Sequence, residues 1–410
     1  MSAEKQYIEL YEAQKELINA NSAVGLNAYR EEAYETLKRV GLKKAKDFSA
    51  TDPEELLSPD YSLNLSRFHV QPDRSDLFTC GVPDLSTYVH YMVNEQYVGE
   101  TKKVAENDGV FAGSLRVFAE KYPELLSKYY NTQAGVDPIT PESKSNAELR
   151  MLGESALNTM LAQDGFVLYV PENVTVEKPL QLISLMRSVD DFMACQRLLI
   201  IIGEGAKASL LVCEHNSDLA DVKLLDLQVT EIFVGKNATF DFYGLEEHKD
   251  NVIRLSNLYV HQEEGSNAAI GQFTLTAGKT RNRVYVDLDG ENIDTNIFGM
   301  VIADGSQMVD NITFIDHKKA NCNSNELFKY VLDGEAKGSF IGRILVRDGA
   351  VKTDAHQTDR NLCLTDKARM IARPELEIYA DDVKCSHGAT VGQLDQNALF
   401  YMRTRGVPEE

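Results

Sequence analysis

Three short stretches decide how this sequence is read: EGAKASLL (204–211), VGKNATFDF (234–242) and EGSNAAIGQF (264–273). Each sets a glycine, two or three mostly polar residues and an alanine ahead of an apolar run. The glycines are Gly205, Gly235 and Gly265, so both steps, 235 − 205 and 265 − 235, are 30 residues. Looser copies follow in DGENIDTNIF at Gly290, GEAKGSFIG at Gly334 and TDKARMIA around Lys367. A fixed period with one turn and strand per repeat is the mark of a stacked array. A propeller blade takes about 40–45 residues and carries its own motifs, and tryptophan is absent. A parallel β-helix fits better. Each coil leaves an apolar face that only the next coil buries, so the pattern has to continue.

Working outward, the same texture begins at Gly165 with FVLYVPENVTVEKPLQLISL (166–185) and holds to about 392 without a long helix. Upstream, residues 1–164 read as mostly helical. Tyr7, Leu10, Tyr11, Leu17 and Ile18 share one face; Ala33, Leu37 and Val40 share another and stop at Gly41. Asp52, Pro53 and Glu55 spell an N-cap, a first-turn proline and a capping box. Helical period returns from Phe111 to Tyr130, and Ser145 with Glu148 opens a helix running to about Gln163. Downstream, residues 393–410 hold a short C-terminal helix ending at Gly406. The expected fold is mainly β: a parallel β-helix core over 165–392 between two helical segments.

The chain has 410 residues and a net charge of −21, with no basic run. That excludes nucleic acid and an anionic membrane surface as main partners, because both require clustered Lys and Arg. MSAEKQYIELYEAQ lacks the basic-then-apolar pattern of a signal peptide. The longest apolar run is Leu198–Ile202, against the roughly 20 residues of a membrane-spanning helix. A soluble, cytoplasmic protein is expected. Cys80, Cys195, Cys213, Cys322, Cys363 and Cys385 form no CxxC pair, so they read as reduced thiols.

Two stretches imitate nucleotide sites. RLLIIIGEGAKASL offers Gly203, Gly205 and Ala208 after a strand, but a dinucleotide site needs a helix next, and ASLLVCEH is another strand. TAGKT resembles the end of a P-loop, yet Phe273 stands where the first glycine belongs and RNRVYVDLDG continues as β. The chain is expected to bind no nucleotide. Cys213 with His215, and His317 with Cys322, lack a second ligand pair at zinc spacing and read as structural.

DVKCSHGATVG (382–392) is different. Cys385 and His387 stand two apart, so in an extended segment they point to one side. They offer sulfur and nitrogen to a metal, or an imidazole that lowers the thiol pKa, or simply line a turn. Two ligands do not complete a zinc or iron–sulfur site. The remainder has to come from elsewhere, such as another chain.

The run KTDAHQTDRNLCLTDKARMIARPELEIYADDVKCSHGATVGQLDQNALFYMRTRG (352–406) closely resembles the SufD branch of the SufB/SufD family of iron–sulfur cluster assembly proteins. PELEIYADDVKCSHGATVG (374–392) is highly specific to it. ALNTMLAQDGFVLYVPENVTVEKPLQL (156–182) and, more loosely, GLKKAKDFSATDPEELL (41–57) are similar to the family's earlier segments. The resemblance implies a right-handed parallel β-helix that acts as a non-catalytic scaffold. It implies a SufB-type paralogue as heterodimer partner, joined through the C-terminal part of the helix, and a SufC-type ATPase docked to the segment after it. It also implies a transient iron–sulfur cluster at a subunit interface. SufB proteins carry an acidic HEA-type motif in place of CSHGAT. By resemblance His387 helps hold the nascent cluster, Cys385 is its neighbouring family cysteine, and a homodimer is possible when the chain is alone. Family members continue past YMRTRG into helices that contact the ATPase, and this sequence stops at Glu410. The rival reading is a β-helix enzyme acting on acidic polysaccharide, by fold analogy alone; the charge and the missing signal pattern count against it.

Overall fold

The computed structural model describes residues 2–42, 51–68, 86–100, 108–135, 152–217, 221–393 and 395–408. The strands in chain order begin with β1 (Tyr88–Val93), β2 (Gln96–Glu100) and β3 (Phe111–Ser114). Eight coils of two strands follow. The first four are β4 (Phe166–Val170) and β5 (Leu180–Met186), β6 (Phe192–Ile202) and β7 (Lys207–Asn216), β8 (Leu224–Val234) and β9 (Thr239–Glu247), β10 (Val252–Gln262) and β11 (Asn267–Thr276). The last four are β12 (Lys279–Leu288) and β13 (Asp294–Ala303), β14 (Met308–His317) and β15 (Asn323–Leu332), β16 (Lys337–Val346) and β17 (Asp354–Cys363), β18 (Arg369–Ile378) and β19 (Lys384–Gln393). From β4 onward, even-numbered strands stack into one parallel sheet and odd-numbered strands into the other.

Parallel stacking in register puts side chains into rows along the lumen. One row reads Leu168, Ile200, Ile232, Val260, Val286, Ile315, Ile344 and Leu376, one residue per coil. Burying such a side chain is worth about 1.5–3 kcal/mol, and each needs the coil on either side to cover it.

The corners explain the repeat, and correct it. Where each even strand turns into the next odd one, a residue sits at left-handed φ: Asn173, Gly205, Asn237, Gly265, Asn292, Asn321, Lys352 and Asp382. The amide of each but the last links to the next coil, as in Gly205 N–H to Lys236 O at 2.8 Å and Asn237 N–H to Glu264 O at 2.9 Å. Gly235 therefore stands two residues before the left-handed position, which Asn237 takes. The even 30-residue step of the glycines covers true corner steps of 32 (237 − 205) and 28 (265 − 237). Gly334 and Lys367 belong to the opposite edge, between β15 and β16 and between β17 and β18. The residue after each corner points inward: Ala206, Ala238, Ile293 and Cys322 are all buried.

The outer face of the even sheet is covered by helices. Leu152–Leu161 is buried along its whole length; Asn158 donates to Gln196 O and Leu227 O at 2.9 and 2.8 Å. Arg30 caps its C-terminal end through Met160 O and Ala162 O, both at 2.7 Å. The Glu231 carboxylate ties loop to sheet, accepting from Arg197 at 2.5 Å and from the Asn131, Gln133 and Ala134 amides. Helices Ala3–Ala20, Arg30–Val40 and Pro53–Leu57 fall where the sequence puts them, with Asp52 accepting from Glu54 N–H. Ser145, Glu148 and Cys80 lie outside the described residues.

Two differences concern residues 1–164. Phe111 to Tyr130 opens with β3 before its helices Leu115–Lys121 and Pro123–Tyr129, and β3 pairs antiparallel with β4. β1 pairs parallel with β5, and β2 folds back on β1. The start of the solenoid is thus extended and closed by earlier chain. Its other end is bare: among the described residues no strand pairs with the outer edges of β18 and β19.

Candidate functional site

Cys385 and His387 lie on β19, the last strand, in register with Ala355 and Gln357 of β17. They share a face, as their spacing requires, and that face is the lumen side. Cys385 is half-buried and packs against the core. His387 is exposed, and its ring makes no hydrogen bond among the described residues. Burial pushes the Cys385 thiol up; the Ala355 amide pulls the other way and Asp354 adds to the rise. No imidazole is among these causes, so thiol activation by His387 is not what this geometry provides.

The row beneath His387 changes character. It reads Leu180, Leu210, Phe242, Ile270 and Ile297 through five coils, then Glu326, Gln357 and His387. Gln357 Nε2 donates to Glu326 Oε2 at 2.5 Å. The neighbouring row brings Asp359, whose Oδ2 accepts from Asn361 at 2.7 Å. Gly342 on the facing sheet makes room: a Cβ there would stand 2.1 Å from Gln357 Nε2. Burial raises the Glu326 carboxyl to about 7, against hydrogen bonds from Thr313 and Gln357. Asp359 is also raised to about 7 by burial, with Asn361 opposing and Glu326 reinforcing. Sequence reading missed these residues, because ELFKYVL and HQTDRNL alternate without announcing which set faces in.

Other candidates resolve differently. His317 is buried, bonded to Ser324 at 2.8 Å and pushed down to about 4 by burial. Cys322 donates to Gly290 O at 3.1 Å. His215 faces Glu247 at 3.4 Å, and the buried Cys213 accepts from Gln181 at 3.4 Å. His356, unremarked in the sequence, bonds Ser386 and Asp354, both at 2.7 Å, on the opposite face of the sheet from His387. His261, Asp287 and Asp289 bring ligand atoms within 4.8 Å of one another, but Lys318 already holds Asp287 at 2.6 Å. The two decoys are corners: Gly203 and Gly205 join β6 to β7, and Lys279 and Thr280 begin a strand where a phosphate cradle needs a helix.

Comparison with known proteins decides the family. Residues 185–410 match the model described as SUF system FeS cluster assembly, SufBD core domain, and residues 1–182 match the SufBD protein N-terminal region. The chain belongs to the SufBD family. It is 32% identical to the iron–sulfur cluster assembly protein SufD of Escherichia coli over 62% of this chain and 60% of that protein. It is 29% identical to a SufBD family protein of Synechocystis, over 62% of this chain and 57% of that one. With Bacillus subtilis SufD the figures are 26%, 74% and 67%. The chain thus spans about three fifths of the first two relatives. Family membership favours cluster assembly over polysaccharide cleavage. Among the described residues no helix is long and apolar enough to cross a membrane.

Proposed function

We propose that this SufBD protein is a non-catalytic, cytoplasmic scaffold subunit on which iron–sulfur clusters are built. Its bare last coil joins a SufB-type paralogue, and His387 supplies one ligand to a nascent cluster that the partner completes. The observation that carries this is an exposed imidazole on an unpaired edge strand. A free edge is a template for strand addition, and a second copy of the chain uses it when the paralogue is absent. Cys385 is the second candidate ligand. The helix Gln396–Thr404 leaves Phe400 and Tyr401 70% and 60% exposed, an apolar surface for a SufC-type ATPase; this chain itself binds no nucleotide. The cluster is cargo, held transiently.

The test is reconstitution with the paralogue, the ATPase, iron and sulfide, read by visible absorbance. His387→Ala should leave complex formation on a sizing column intact and abolish cluster build-up, since losing one of about four ligands opens a cluster to solvent. Build-up at the wild-type rate would overturn the assignment. A strong defect in Cys385→Ser makes the thiol a ligand; a mild one makes it a spacer.

A further inference from the structure

Most buried carboxylates of this protein come with a cation or a set of amides. Glu231 has Arg197, Glu154 has Arg281 at 2.5 Å, Glu214 has Arg254 at 2.8 Å and Asp316 has Arg347 at 2.5 Å. Asp310 accepts from Thr51 and Ser339. Asp226 and Glu95 have unpartnered oxygens, but each keeps a guanidinium nearby, Arg254 and Arg67, whereas Glu326 and Asp359 have none. Both are fully buried, and no Lys, Arg or His side chain pairs with either among the described residues. Apart from the Thr313 hydroxyl beside Glu326, their hydrogen-bond donors are the carboxamides of Gln357 and Asn361, which leave further acceptors behind. Glu326 Oε1, Gln357 Oε1, Asp359 Oδ1 and Asn361 Oδ1 are all buried without an aligned hydrogen-bond donor.

Isolated buried acceptors are rare and costly, and a buried carboxylate without a counter-charge costs several kcal/mol. Four such oxygens, from two carboxyls and two carboxamides, lie on one face of β15 and β17 behind His387, where Gln357 bridges to Glu326 and Asn361 to Asp359. Gly342 opens the space that Gln357 occupies. Oxygen-only donor sets of this kind select hard divalent cations, with carboxylates supplying the charge and amide oxygens filling the sphere. We propose that Glu326, Gln357, Asp359 and Asn361 form a binding site for one hard divalent cation in the lumen behind His387. Glu326 and Asp359 are the anionic ligands. Ferrous iron is the cation of interest, which rests on the bare end being the cluster-building end; cation binding itself does not depend on that reading. The mouth then has a soft sulfur–nitrogen pair in front and a hard oxygen chamber one strand spacing, about 4.8 Å, behind.

The experiment uses the purified full chain, stripped of metal and kept anaerobic. Mn2+ is titrated and followed by loss of its free electron paramagnetic resonance signal; Fe2+, Mg2+ and Ca2+ are added as competitors. One Mn2+ per chain is expected, displaced by Fe2+. Displacement by millimolar Mg2+ or Ca2+ instead would keep the site and overturn its assignment to iron. The isosteric variants Glu326→Gln and Asp359→Asn should each weaken binding at least about tenfold, since ligand charge sets affinity. Their folds are checked by circular dichroism, and either variant carries the test if the other does not fold. Asp289→Asn, at the Lys318-occupied cluster, and His387→Ala should leave Mn2+ binding unchanged. The proposal is overturned if the wild-type chain binds no Mn2+, or if binding survives both carboxamide variants or disappears with Asp289→Asn. Because His387→Ala is read here by metal binding and above by cluster build-up, the two proposals fail separately.

Discussion

The two ends of the lumen hold similar residues under opposite rules. Near the start, Glu214, Asp226 and Glu246 surround Arg254, which also bonds Gln228 at 2.8 Å. Burial raises Asp226 there, with Glu214 adding and Arg254 opposing, while against the same burial His248 and Arg254 hold Glu246 below its ordinary value. Near the end, Glu326 and Asp359 have no such neighbour and rise to about 7. A solenoid repeats its backbone but not its chemistry. An acid that comes with its own cation is part of the frame, whereas an acid left without one is open to a partner from outside.

The largest loss should come from breaking the first end. Arg254→Met strands its carboxyls, and chemical denaturation should show a loss of about 3–5 kcal/mol. A loss below about 1 kcal/mol would mean those acids are not held by charge.

The far end should respond to pH instead. With a chelator present, the folded chain keeps protons on Glu326 and Asp359 up to about pH 7, protons that the unfolded chain releases near pH 4. Their contribution to stability is therefore full below about pH 4, falls as pH rises to 7, and is flat above. The Glu326→Gln, Asp359→Asn double variant should lack that decline, gaining on the wild type by up to about 8 kcal/mol across the window, roughly 4 per group. His90 and His317, each held near 4 by burial, act with the opposite sign. They cost stability as pH falls from 6.5, so the readout is the difference between the two proteins at each pH. A constant difference would refute the raised values.

The bare edge should be nearly silent in stability. Lys384 donates inward to Thr353 O at 2.8 Å, so by alternation the odd-numbered amides of β19 face outward. Ala389→Pro removes only an outward amide. Its midpoint in denaturant should move by less than about 1 kcal/mol, while pairing with the paralogue on a sizing column is lost. Unchanged pairing would place the interface elsewhere.

The smallest effect is at the corners. Lys352→Gly relieves an L residue held at φ 58° and should gain up to about 1 kcal/mol, while Gly205→Ala at φ 64° should lose at least as much. Equal Tm values for all three proteins would show that the corners carry no such strain.

How much of this was legible follows from the range of each signal. Corners are local, so Gly205 and Gly265 showed through at once. Asn237 hid because asparagine reaches left-handed φ without looking like glycine. β1 was illegible as a solenoid strand: YVHYMV reads as apolar, but only a pairing with β5 some 90 residues on gives it a place. Cys385 and His387 stood out through their family block, and their shared face follows from alternation. Glu326 and Gln357 could not be found that way. Their inward direction is fixed by register with Ile297 below, a contact no window of sequence contains.

The bare last coil has a thermodynamic consequence. In a one-dimensional lattice an interior unit has two couplings and an end unit has one. β18 and β19 are therefore the terminal spins of the array, with local opening energies below the global value. Amide exchange should grade along the axis, fastest at residues 384–393. A partner that adds a strand to β19 turns the end into an interior position, so docking and ordering become a single event with shared free energy.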